Sequence, residues 1–226
     1  MPLISEEFAE KYQEYRLVSV PETVYYIPNF LTKDDVVMLL EKVYNVPKPK
    51  WKNLNNRRLQ NWGGLPHPKG MVLESLPPWL QTHCTKLEKE GLFSGTHINH
   101  VLVNEYKPGQ GIMAHVDGPL FTPLIATLNL GSSCLLKFQT RDSDTDHLKD
   151  EFSLFLEEGS VLVQTGEVYE RFLHGIEEVE EDLVSEDVAN LGLCHGVSVG
   201  DVVKRGTRVS LTIRSVPKVV KFKLRL

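Results

Sequence analysis

No stretch of this 226-residue chain comes near the roughly eighteen consecutive apolar residues that a membrane-spanning helix requires. Its first residues, MPLISEEFAEKYQEYRL, carry acids early and hold no sustained apolar run, so they do not read as a secretory signal. Internal repeats and low-complexity tracts are missing as well. Cysteine is scarce. Cys84, Cys134 and Cys194 are far apart and form no CxxC pair, which argues against a disulfide framework or a structural zinc site. A reducing compartment, cytoplasm or nucleus, fits that pattern better. An excess of positive charge is also lacking. The formal net charge of −5 argues against the all-round basic footprint usual for nucleic-acid binders, although the charge is unevenly spread.

What is present is ordinary globular material, 41% hydrophobic and 24% charged, enough for one generous domain with its own core. Val24, Tyr26 and Ile27 suggest a short strand. Thr32 with an acid three residues on predicts a helix from Lys33 to Tyr44, with Val36, Leu39, Leu40 and Val43 at helical spacing. From 47 to 80 the prolines and glycines exclude long regular elements. Lys48, Lys50, Lys52, Arg57 and Arg58 meet no acid there before Glu74, and Trp51 and Trp62 are interleaved with them. A second helix is predicted from Pro78 to Lys89, its inner side carrying Leu80, Cys84 and Leu87. Beyond His97 the signal is mostly strand: 100–106, 124–130, 134–139, 152–156, 160–164, 169–174 and 209–216. Many short strands between turn signals predict a sandwich or barrel, the jelly roll included. Seven acids between Glu177 and Asp187 mark the start of an exposed insertion running to Arg205.

Three patterns carry chemistry. In Met113-Ala-His115-Val-Asp117-Gly-Pro119, a strand beginning at His115 would put imidazole and carboxylate on one face. A third ligand would complete a two-His, one-carboxylate triad suited to non-haem Fe(II). HxD discriminates poorly by itself, since a chain with 8 histidines and 30 acids will often contain one. Among the remaining histidines, His174 has the best context, at the end of an apolar run. His147 and His195 lie in polar loops, and His97 and His100 precede the HxD segment. The second pattern is Arg208-Val-Ser-Leu-Thr-Ile-Arg214. Arg208, Ser210, Thr212 and Arg214 share one face of a strand, with Val209, Leu211 and Ile213 on the other. That polar side faces either water or an anion-binding cavity, because guanidinium groups grip carboxylates. The third is Asn104 with Tyr106, which alternate in the same way and would add neutral hydrogen bonds.

Asn104-x-Tyr106, Pro108-Gly109, His115-x-Asp117, His174 and Arg208-x5-Arg214, in that order, resemble the AlkB family of Fe(II)/2-oxoglutarate dioxygenases over residues 95–216. Arg57-Arg-Leu-Gln-Asn-Trp-Gly-Gly-Leu-Pro-His-Pro68 extends the likeness toward the N-terminus. The resemblance implies a mostly β fold with flanking helices around a double-stranded β-helix. A single domain would then comprise an N-terminal extension (20–94) with a substrate-recognition lid at about 47–72, and a jelly-roll core (95–217) with an acidic insertion at about 177–205. His115, Asp117 and His174 would bind iron. Asn104, Tyr106, Arg208, Ser210, Thr212 and Arg214 would surround 2-oxoglutarate, with O2 as the second co-substrate. Trp51, Lys52, Arg57, Arg58 and Trp62 would form the lid over a single-stranded or flipped base. The implied activity is oxidative demethylation of N-alkylated bases in DNA or RNA. A protein or small-molecule hydroxylase with the same metal chemistry is one alternative, and a non-catalytic nucleic-acid- or protein-binding member is another. Zinc hydrolysis would leave Arg208 and Arg214 unexplained.

Overall fold

The computed structural model describes residues 2–21, 24–141 and 147–220. Ser5 caps a short helix, α1 (Glu6–Lys11), and the strand β1 (Val24–Ile27) follows. Helix α2 (Lys33–Tyr44) lies where helical spacing places it. Thr32 and Asp35 form a capping box, each side chain accepting the other's backbone amide at 3.1 Å. The proline-rich stretch holds only short strands, β2 (Lys52–Asn53), β3 (Arg58–Trp62) and β4 (Met71–Val72). Helix α3 (Pro78–Lys89) then buries Leu80, Cys84 and Leu87.

The strands of the second half are β5 (His100–Tyr106), β6 (Ile112–His115), β7 (Leu124–Gly131), β8 (Cys134–Arg141), β9 (Leu148–Leu156) and β10 (Val161–Thr165). Part of the polar loop between β8 and β9, residues 142–146, lies outside the described residues. The strand expected over Tyr169–His174 is corrected. Gly166, at φ +55°, turns the chain out of β10 into a six-residue helix, α4 (Gly166–Arg171). Extended backbone resumes as β11 (Leu173–Ile176), where β8 offers a pairing partner. The remaining strands are β12 (Glu181–Leu183), β13 (Val202–Lys204), β14 (Arg208–Arg214) and β15 (Val219–Val220).

Two antiparallel sheets face each other, as in a jelly roll. The larger runs β1-β10-β7-β14-β5-β3-β2 and the smaller β6-β11-β8-β9. The segment before residue 95 thus supplies both edges of the larger sheet. Strand β3, whose polar sequence gave no strand signal, forms because β5 provides a ladder for it.

Helices α1, α2 and α3 cover one face of the larger sheet. Val209, Leu211 and Ile213 of β14 join Val101 and Val103 of β5 there, against Leu39 of α2 and Leu87 of α3. A second apolar cluster lies between the sheets, with Tyr26, Leu162, Leu136 and Phe138. Every residue of β14 is buried, so its polar alternate side chains point into the protein and not into water.

The acidic insertion is exposed over most of its length, as expected, but it sends a few residues inward. Val184 and Val188 pack on Leu135 and Phe155, on the outer face of the smaller sheet. Strands β12 and β13 close the insertion into a hairpin. Arg205 grips Asp182 through Nε at 2.7 Å and NH2 at 2.5 Å, and donates to the Glu177 carbonyl at 2.6 Å. Both members of this ion pair are about 95% buried. Charge-rich sequence reads as surface, yet one acid and one base here neutralise each other inside. Removing one partner strands a buried charge, which typically costs about 3–5 kcal/mol. Asp182→Ala should therefore lose stability on that scale in urea unfolding, and a loss comparable to that of exposed Glu181→Ala would contradict it.

Candidate active site

The ladder between β6 and β11 sets His115 directly opposite His174, with ring centroids 4.6 Å apart. Strand β6 ends at His115 instead of beginning there, so Asp117 lies in the following loop. Gly118, at φ +84°, turns the chain immediately afterwards. The Tyr169 hydroxyl of α4 donates to the Gly118 carbonyl at 2.8 Å and ties that loop to the helix just before the strand carrying His174. Asp117 Oδ2 thereby comes within 3.4 Å of His174 Nε2. Its other oxygen accepts from Arg214.

Burial pushes His174 down to about 4, outweighing the pull of Asp117, so its imidazole is neutral near pH 7. His115 Nδ1 sits 2.9 Å from the Met113 carbonyl. Donation from Nδ1–H to that carbonyl leaves Nε2 with its lone pair, as ligand histidines are commonly held. Two imidazoles and a carboxylate at a cavity mouth are a donor set that fits Fe(II). Among the described residues no three such side chains are drawn into a closed metal cage, because Asp117 is turned onto Arg214.

Behind these residues is a cavity of about 100 Å³ between the two sheets. Asn104, Tyr106, Arg208, Ser210, Thr212 and Arg214 all line it, together with His115, Asp117 and His174. Strand pairing explains the convergence. Arg208 is opposite Tyr106 and Ser210 opposite Asn104 across β14 and β5. Arg208 and Arg214 are both buried, and each has an Nε atom with no hydrogen-bond partner. An unpaired donor on a buried cation is unfavourable unless an anion arrives to meet it. The polar side of β14 therefore faces the cavity and not water.

The lid residues fare differently. Arg57 lines the cavity and donates to Asn104 Oδ1 at 3.3 Å. Lys52 is exposed on β2. Trp51, Arg58 and Trp62 do not line the cavity. Arg58 forms a bidentate pair with Glu105, both bonds at 2.7 Å, and its guanidinium carbon lies 4.1 Å over Trp51. Trp62 packs edge-on to Trp79, with Lys50 4.0 Å above its ring. Both tryptophans rest on the helix-side core. Instead, an open groove of about 600 Å³ leads to His115 between Asn53–Arg57 and Gly111–Ala114.

Other residues of the site escaped the sequence reading. Tyr169 lay in a stretch read as strand. Thr127 and Gln164 line the cavity, and Asn129 accepts from Arg208 NH2 at 2.6 Å. A signal for two of them existed, because Thr127 and Asn129 alternate with Leu124, Ala126, Leu128 and Leu130 in an otherwise apolar run. His100 is buried beside Arg214, with no hydrogen bond to either ring nitrogen. Burial and then Arg214 hold it down to about 3.

A sequence model of the 2OG-Fe(II) oxygenase superfamily matches residues 23–214. A Danio rerio protein named "Probable RNA/DNA demethylase ALKBH6" is 47% identical over 219 residues, covering 94% of this chain and 93% of that protein. Among solved structures, OsALKBH1 superposes with a TM-score of 0.54 at 16% identity, over 86% of this chain and 97% of that one. An oxidoreductase of the 2OG-Fe(II) oxygenase family from Burkholderia pseudomallei gives 0.55 at 11% identity, over 96% and 93%. At such identities the two structures show a shared fold.

His115→Ala should abolish Fe(II)-dependent succinate formation while the chain still melts cooperatively, and retained turnover would remove His115 from the metal site. Asp117→Ala should also abolish turnover but lower the melting temperature, because it leaves Arg214 buried and unpaired. Arg208→Ala should raise the 2-oxoglutarate concentration for half-maximal turnover by roughly 10- to 150-fold, the weight of a charge-assisted bond. A shift below threefold would place the grip elsewhere.

Proposed function

This chain belongs to the 2OG-Fe(II) oxygenase superfamily, and from that premise we propose that it oxidatively demethylates N-alkylated bases in DNA or RNA. The observation that carries the reading is the cavity itself. Two buried arginines with unpaired Nε atoms lie beside a His/Asp/His set, at the end of a groove open to solvent. The relationship at 47% identity to a protein named as an RNA/DNA demethylase supplies the substrate class.

His115, Asp117 and His174 would hold iron, which supplies O2 activation coupled to decarboxylation of 2-oxoglutarate to succinate and CO2. The chain's own residues do the positioning. Arg208, with Asn104 and Tyr106, would grip a carboxylate of the co-substrate. Arg214 holds Asp117 in place, and its Nε remains available to the cavity. Tyr106 is buried, which pushes its phenol up and keeps it a neutral donor. One oxygen atom of O2 would end in succinate and the other would be inserted into a methyl C–H bond, giving C–OH. The resulting N-hydroxymethyl group then releases formaldehyde and restores N–H.

A base within a duplex stack could not reach a metal set back in this way, so a single-stranded or extruded base is the substrate form. The groove at His115 offers Asn53, Asn55 and Asn56 amides, with Leu54 and the largely exposed Met113, 82% accessible, as apolar surface. Asparagine amides can pair with base edges as donor and acceptor at once. The three thiols are free, in keeping with the cytoplasm and nucleus as the proposed location.

One observation favours a second reading, a protein or small-molecule substrate oxidised by the same chemistry. Arg58 is neutralised by Glu105 and Lys50 lies over Trp62, so neither extends a phosphate-binding track. Methylated DNA and RNA oligonucleotides incubated with Fe(II), 2-oxoglutarate and O2 should lose one CH2 mass per methyl group and release formaldehyde. Succinate formation without mass loss from any oligonucleotide would overturn the nucleic-acid reading and leave the second.

A further inference from the structure

Two arginines three residues apart enter the interior and meet different partners. Arg205 faces a carboxylate, Asp182, and the pair is neutral as a unit. Arg208 is 4% exposed and faces an amide. Its NH2 donates to Asn129 Oδ1 at 2.6 Å, its Nε has no partner, and the Tyr106 ring lies 5.7 Å from its guanidinium carbon. A buried guanidinium paired to a carboxylate has its charge cancelled. One paired to an amide keeps the whole charge for a ligand.

The orientation of Asn129 is not free. It sits fully buried on β7, opposite Ser210 of β14. Its Nδ2 donates to Ser160 Oγ at 3.0 Å. Ser160 Oγ uses its own proton on the Glu157 carbonyl at 2.6 Å, so it can only accept from Asn129. The amide nitrogen is thus committed to Ser160, and the amide oxygen must point at Arg208. Asn129 does not line the cavity, so it acts through the arginine.

We propose that Asn129 is a positioning and selectivity-determining residue: it aims Arg208 into the cavity while staying neutral, and so reserves the site for a 2-oxo acid with a second carboxylate. An aspartate of the same size at this position would complete a buried ion pair and cancel the charge that selects the dicarboxylate. The inference rests on the reading of Arg208 as the co-substrate grip and does not depend on the nucleic-acid substrate.

The test is calorimetric titration of the full chain with Mn(II), without O2, comparing 2-oxoglutarate with 2-oxopentanoate, which lacks the distal carboxylate. Wild-type protein should prefer 2-oxoglutarate by roughly 10- to 100-fold. Asn129→Asp should lose most of that preference without a fall in melting temperature. Asn129→Ala should bind 2-oxoglutarate more weakly and keep only part of the preference, because Arg208 is loosened but still charged. Should Asn129→Asp fail to fold, Asn129→Ala decides. Wild-type preference in Asn129→Asp, or wild-type affinity for 2-oxoglutarate in Asn129→Ala, would overturn the inference. Wild-type protein binding neither acid would overturn the Arg208 reading beneath it, a result distinct from either.

Discussion

The burial of two guanidinium groups on one face of β14 is the constraint around which the rest of the molecule is arranged. A charge in a dry interior has to be compensated, and Arg208 and Arg214 are compensated only in part. Arg214 takes an oxygen of Asp117, and Arg208 takes a neutral amide. What remains is positive charge lining the cavity, next to two imidazoles and a carboxylate. The inward polar face is a consequence of central-strand geometry, since a strand paired on both sides can place polar alternate residues only into another layer.

The Arg214–Asp117 contact links the two halves of the site. The strand that would receive a dicarboxylate also holds the carboxylate that would complete the metal triad. The loop bearing Asp117 is tied from the other side by Tyr169, whose hydroxyl reaches Gly118 from the helix preceding His174. The loop is therefore anchored both to β14 of the larger sheet and to α4. This double tether replaces the regular strand that sequence spacing suggested after His115, and it explains how a residue outside any strand can be held beside His174.

Elsewhere, charge follows a different logic. The basic cluster around 48–58 looks like a nucleic-acid contact when read linearly, but Arg58 has a buried acid waiting on β5, and Lys50 and Arg58 lie over indole rings. The acidic run after His174 looks solvated, but Asp182 turns inward to Arg205 and Val184 and Val188 seal the smaller sheet's outer face. Long cationic side chains readily cover aromatic surface while keeping their charge. The groove beside His115 is bordered instead by asparagine amides, Arg57 and Met113.

Local pattern alone was enough for much of the chain. The capping box and helical spacing of 33–44, the alternation of 208–214 and 100–106, and the run of short strands specify their elements because each is a nearest-neighbour property of the backbone. The polar face of β14 was visible in the order of its residues, and so was its pairing in type with Asn104 and Tyr106. Whether that face met water or a cavity was decided only by the second sheet lying over it. The same holds for the partners of charged residues. Asp182 with Arg205, Arg58 with Glu105, and Asn129 with Arg208 are separated by 23, 47 and 79 residues. No spacing rule reaches across such distances. Sequence determined the three metal-ligand candidates and the two polar strand faces. Tertiary structure decided which charges are cancelled and which are left for a ligand, because cancellation depends on three-dimensional proximity in a medium that water cannot enter.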